Sequence, residues 1–140
     1  MPLYPPATTG VLQSAASVLA SDQTTTSTTF GDLLTAAVTT SARSFLLIWI
    51  SFTVSFTPNL SAAAMLRLTI DGTEYLRAGA EEFSDAQGGA IVYRASGLAA
   101  GAHTIALQWR ISSVGAGTFR CRPVTAEPEG AAIVVMEVSV

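Results

Sequence analysis

Phe45-Leu46-Leu47-Ile48-Trp49-Ile50 runs into Ser51-Phe52-Thr53-Val54-Ser55-Phe56-Thr57, and the change of pattern between these two halves decides the fold. No charged residue stands between Ser44 and Leu66, a stretch long enough for a bilayer-spanning helix of about 20 residues. The second half, however, alternates polar and apolar residues with period two, as a half-buried strand does. Pro58-Asn59 then interrupts it as a turn. A membrane helix is therefore not expected. Leu46, Ile48, Ile50, Phe52, Val54 and Phe56 make one wholly apolar face. On the other face Phe45, Leu47 and Trp49 give way to Ser51, Thr53 and Ser55. This reads as a long central strand, covered on both sides at one end and on one side at the other.

The same period continues outward. Met65-Leu66-Arg67-Leu68-Thr69-Ile70 meets Thr73-Glu74-Tyr75-Leu76-Arg77 across Asp71-Gly72, a pair that supplies the positive backbone angles of a type I′ hairpin turn. Leu66, Leu68 and Ile70 are expected inside, Arg67 and Thr69 outside. His103 to Ile111 alternates with Ile105, Leu107, Trp109 and Ile111 inward and Thr104, Ala106, Gln108 and Arg110 outward. Thr24–Phe30, Leu33–Thr40, Ala90–Ser96, Thr118–Arg122 and Ala131–Val140 complete about eight or nine short strands, with Gly, Pro and Asp turns between them. The expected fold is all-β, an antiparallel β-sandwich of jelly-roll type. An immunoglobulin pattern is disfavoured, because its Cys…Trp…Cys spacing is missing.

Residues 1–22 differ from the sandwich domain expected over 23–140. Met1 to Pro6 holds three prolines, which favour extended backbone. Val11, Leu12, Ala15, Ala16, Val18 and Leu19 fall at helical spacing, which allows one short helix. The segment reads as an extended arm ordered against a neighbouring subunit, or as a floppy or locally packed terminus. The first cation is Arg43, so the N-terminus lacks the basic start of a cleaved export signal, and none is expected.

Composition narrows the chemistry. Charged residues are 12% of the 140, against about 25% in an average soluble domain. Hydrophobic residues make up 49%, which excludes a disordered chain. A net charge of −3 and the lack of any basic run argue against nucleic-acid binding. One Cys and one His rule out an intrachain disulfide and a four-ligand zinc site built from Cys and His.

No enzyme signature emerges. His103 follows a turn and is expected to bond to backbone rather than to serve as a catalytic base. Gly-x-Ser-x-Gly, P-loop and dinucleotide-binding patterns are all missing. Cys121 lies between Arg120 and Arg122, which can activate a thiol, but strand alternation turns it toward the core. Arg120 and Arg122 share the opposite face, either solvated, paired with Glu127, Glu129 or Glu137, or holding a partner's carboxylate. Glu81, Glu82 and Asp85 form a loop cluster of oxygen ligands without EF-hand spacing. Trp49, Tyr75, Tyr93 and Trp109 could build a sugar-stacking platform, yet both Trp residues fall on phases expected in the core. No cofactor or metal is expected. Asn59-Leu60-Ser61 is a glycosylation sequon that carries little weight without an export signal.

Leu66-Arg67-Leu68-Thr69-Ile70-Asp71-Gly72-Thr73 resembles a hairpin of small β-sandwich proteins in tailed-phage virions. The stretch from Gly97 through His103-Thr104-Ile105-Ala106-Leu107-Gln108-Trp109-Arg110 is similar as well, and so is Arg120-Cys121-Arg122-Pro123-Val124 with the strand after it. The resemblance covers roughly 45–140. It implies a capsid decoration protein, head fibre or tail appendage, in a family that often forms trimers and carries no catalytic residues.

On this reading the chain is a virion structural protein, not an enzyme. It is expected to assemble in the host cytoplasm as a homotrimer on the major capsid protein or another virion protein, without nucleic acid or membrane. Pro5, Pro6, Val11, Leu12, Leu19, Arg120 and Arg122 are the expected subunit or partner contacts. The alternative is a receptor- or carbohydrate-binding module of a fibre.

Overall fold

A computed structural model describes residues 10–57, 64–80, 87–112, 117–121 and 130–140. They form ten strands and no helix: β1 (Val11–Val18), β2 (Gln23–Thr25), β3 (Gly31–Thr40), β4 (Ser44–Thr57), β5 (Ala64–Ile70), β6 (Thr73–Ala80), β7 (Gln87–Ala95), β8 (Gly101–Ile111), β9 (Thr118–Cys121) and β10 (Ala131–Ser139). All strand pairs are antiparallel. The larger sheet runs β1-β10-β4-β9-β2 with β7 also paired to β4; the smaller runs β3-β8-β5-β6. The two sheets pack face to face as a β-sandwich.

The long apolar stretch is the central strand of the larger sheet. β4 pairs with β10, β7 and β9. Its Leu46, Ile48 and Ile50 are wholly buried and meet Leu66, Leu68, Ile105 and Leu107 of the smaller sheet in one core. Each such side chain contributes about 1.5–3 kcal/mol by leaving water. Trp109 packs its ring 5.0 Å from Phe119 across this core. Cys121 is buried, as its strand phase predicts, with its thiol directed to Thr53 O at 3.3 Å.

Two turns carry the conformations that their residues favour. Asp71 and Gly72 have φ of 51° and 79°, the two positive angles of a type I′ turn. Gly89 is required for space instead. It sits opposite Phe52 in the β4–β7 register, and a Cβ there would lie 2.6 Å from the Phe52 ring.

Four expectations are corrected. The helical spacing over 11–19 does not produce a helix: Val11 to Val18 is strand β1, laddered on β10 from Val11↔Val138 to Val18↔Ala132. A helix this short is marginal alone, whereas the open edge of β10 offers backbone partners. Thr24–Phe30 is a strand only to Thr25. Beyond it, Ser27 N–H bonds to Thr25 Oγ1, Thr29 N–H to Ser27 Oγ, and Ser27 Oγ–H to Thr29 O, so local hydroxyl bonds replace the ladder. Thr69 is buried, beside an irregularity in the β5–β6 register. Ala106, read as outward, is also buried.

Candidate interaction surfaces and a polar end cluster

The two sheets turn different outer faces to their surroundings. In the larger sheet, register aligns Ala16, Val134, Trp49 and Val92 in one row across β1, β10, β4 and β7. The row to one side is Val18, Ala132, Ser51 and Ala90. On the other side it is Ser14, Met136, Leu47 and Arg94, and beyond it Val138 pairs with Phe45. These positions are the phase opposite the core residues Leu46, Ile48, Ile133 and Val135. Trp49 is 55% exposed, Val92 59% and Val134 40%. The one charge in these rows is Arg94, whose guanidinium lies 4.2 Å from the Phe45 ring centre.

Strands about 4.8 Å apart with a rise of about 3.3 Å per residue make this face roughly 400 Å2. A face of that size is comparable to the largest apolar patches on monomeric proteins, which often serve an interaction. It is about half of one partner's share of a standard interface, about 800 Å2. Val11 and Leu12, both exposed at the start of β1, extend it.

Trp49 thus departs from its expected place. Trp109 is in the core, 4% exposed, whereas Trp49 stands on the outer face. The stretch around Trp49 is apolar on both sides, and only the position of the second sheet determines which side is covered.

The smaller sheet's outer face is charged. Arg67 Nη1 meets Glu74 at 3.0 Å, and Arg77 Nη2 meets the same carboxylate at 2.8 Å. Arg67 Nε donates to Gln108 at 2.8 Å, and Gln108 donates in turn to Asp32 at 2.6 Å. Phe30 lies over this network, with Arg67, Arg110 and Arg77 at 4.1, 4.9 and 5.5 Å from its ring centre. Hydrogen bonds from Arg77 and then Arg67 hold the Glu74 carboxyl below its usual range.

The predicted contact residues separate. Val11 and Leu12 are exposed beside the apolar face. Leu19 belongs to the protein's own core at 6% exposure, its N–H bonded to Ala131 O at 2.9 Å. Arg120 pairs with Asp22, a partner outside the set of glutamates considered for it. Pro5, Pro6 and Arg122 lie outside the described residues, as do Glu81, Glu82, Asp85, Glu127, Glu129 and the sequon. Among the described residues no group of three metal-ligating side chains occurs. Of the aromatic platform, Tyr75 and Tyr93 meet edge to face at 5.7 Å, joining β6 to β7.

Two polar clusters were not legible as such. Glu137, near the end of β10, is only 1% exposed. Its carboxylate accepts from Gln13 Nε2 and Ser44 Oγ, each at 2.8 Å, and from Ser41 N–H. The Ser41 N–H is the main reason that its carboxyl sits below the usual range, and burial works against this. Gln13 also donates to Thr39 O, so one acid joins β1, β3, β4 and β10.

The second cluster surrounds His103. Its Nδ1 is 2.6 Å from Asp71 Oδ2, and its Nε2 is 2.8 Å from Ala99 O and 3.1 Å from Thr40 Oγ1. Hydroxyl, imidazole and carboxylate stand in the order of a catalytic triad. Here, though, the Thr40 hydroxyl donates to Ala99 O at 2.8 Å, so its proton is directed away from the imidazole. The bond to backbone expected of His103 is present; the bond to Asp71 had no sequence signal beyond the hairpin turn itself.

No protein-family model matches this chain, and no curated protein is similar to it.

Proposed function

We propose that this protein is a structural subunit of a tailed-phage virion: a capsid decoration protein that assembles as a homotrimer and sits on the major capsid protein. It would fold in the host cytoplasm and remain on the particle. The observation that carries this reading is the outer face of the larger sheet, where Trp49, Val92 and Val134 stand in one uncharged row. An apolar sheet face whose one charge, Arg94, lies at its margin is suited to being covered by protein. The resemblance of the 66–73 hairpin and the 97–110 segment to virion β-sandwich proteins supplies the setting.

The test is the mass of the full chain in solution, followed by its binding to capsids that lack it. The expected result is an oligomer that decorates the capsids, and Trp49→Asp should abolish both properties while leaving the fold intact. A stable monomer that ignores capsids overturns the reading.

A carbohydrate- or receptor-binding module is the second reading, favoured by the half-exposed Trp49 ring on a flat sheet. It predicts a monomer whose glycan binding is lost in Trp49→Ala with no change in mass.

A further inference from the structure

One end of the sandwich carries a titratable group that the assembly reading does not use. His103, the chain's single histidine, is 9% exposed near the start of β8. Its two ring nitrogens face two different loops. Nδ1 meets the Asp71 carboxylate of the β5–β6 turn, and Nε2 meets the Ala99 carbonyl in the connection between β7 and β8. Carboxylate and carbonyl oxygens only accept. A ring that carries a proton on each nitrogen satisfies both contacts at once.

We propose that His103 is a pH-operated latch, which as an imidazolium ties the 96–100 connection to the β5–β6 turn and as a neutral ring releases that connection. The geometry provides both states. With Nε2 protonated, Nε2–H and the Thr40 hydroxyl both donate to Ala99 O, each at 2.8 Å. When Nε2 loses its proton to water, its lone pair faces the Ala99 oxygen and repels it. The donor within reach is then Thr40 Oγ1, at 3.1 Å. The hydroxyl turns to the ring, and Ala99 O loses both of its bonds. Ala99 is exposed, so water can take over and the release stays local. Asp71 stays in place, because its Oδ1 accepts from Thr104 N–H at 2.8 Å and its own N–H donates to Thr104 O at 2.9 Å.

The charged surroundings are simple. Asp71 faces the ring from the β5–β6 turn, β3 contributes the uncharged Thr40, and the β7–β8 connection contributes carbonyls. Glu137, the nearby acid of β10, is turned onto Ser41, Ser44 and Gln13. The bond to Asp71, then the bond to Ala99, raise the affinity of His103 for its proton above the ordinary value, while burial opposes them. A raised value means that the latch contributes fully below about pH 6.5, the value in an unfolded chain. Its contribution is lost as pH rises through the folded-state value.

The test is nitrogen NMR of the full-length protein across pH. The ring is expected to keep both protons past pH 6.5. When it titrates, the protection of the Leu98–Gly101 amides, taken relative to the base-catalysed intrinsic exchange at each pH, should fall about tenfold or more, with the protection of β4 unchanged. Thr40→Val removes the hydroxyl that favours the neutral ring and should move the transition to higher pH; Asp71→Asn should move it lower. Because these two variants shift in opposite directions, a general loss of stability cannot imitate the pattern. A ring already neutral at pH 6, or a titration that leaves the protection of the Leu98–Gly101 amides unaltered, overturns the proposal.

Discussion

The two outer faces of this sandwich are built on the same backbone pattern and end in opposite chemistry. On the larger sheet, Trp49, Val92, Val134 and Val18 stand exposed with Arg94 at the margin. On the smaller sheet, Arg67, Arg77 and Arg110 gather around Phe30, and Glu74 and Asp32 answer them. The edges follow suit. β6, at the edge of the smaller sheet, presents Glu74 and Arg77, the kind of charges that discourage another strand from adding. β1, at the edge of the larger sheet, has no charge from Val11 to Val18. The charged face pairs Arg67 and Arg77 with Glu74 and bonds Gln108 to Asp32, whereas nothing among the described residues covers the apolar face. A low overall charge is thus not a uniform property of the surface. Among the described residues the shortage is concentrated on one side, and that side is the one suited to contact.

Several measurements would break or sharpen this contrast. The largest effect is expected for Trp49→Asp with Val92→Asp, which should weaken self-association by about 100-fold or more, as loss of a central aromatic contact does. The charged-face variant Arg67→Ala should leave the sedimentation profile unchanged. Equal loss from both faces would erase the distinction.

Next is Gly89→Ala, which forces a methyl into the Phe52 ring and should cost about 1–3 kcal/mol in urea unfolding. Phe52→Leu in the same background should recover part of that loss. Acid comes third. Glu137 holds its carboxyl below the ordinary range, so its contribution is complete above the unfolded-state value and falls as pH drops through the lower folded one. Glu137→Gln should flatten the stability profile in that acidic window. The smallest effect is expected on the charged face. Arg77→Ala should shift Tm by no more than about 2 °C, and less in high salt, because exposed ion pairs contribute little.

Much of the fold was legible because its signals are local. The Asp71-Gly72 hairpin, the alternation of Ile105, Leu107, Trp109 and Ile111, and the inward Cys121 all follow from period two and turn chemistry. The misreadings share a different cause. Val11–Leu19 fits helical spacing, but its partner β10 lies at the other end of the chain and no local pattern points to it. Glu137 breaks an apolar alternation and would be read as an outward residue or a salt-bridge partner. Its real partners, Gln13, Ser41 and Ser44, converge only in the folded protein.

By itself, the sequence determined the period, the hairpin turn, the set of side chains on each strand face and the shortage of charge. It could not determine which of two apolar faces becomes the interior. Leu46-Ile48-Ile50 and Phe45-Leu47-Trp49 are both apolar, and alternation says only that they point opposite ways. The choice was made by the second sheet, which covers the first set and leaves Trp49 outside. The tertiary structure likewise placed Asp71, Ala99 and Thr40 around His103, because a turn, a connection and the end of β3 meet there only when the strands pair. Local backbone geometry is written in neighbouring residues; burial and proton affinity are set by what distant segments bring.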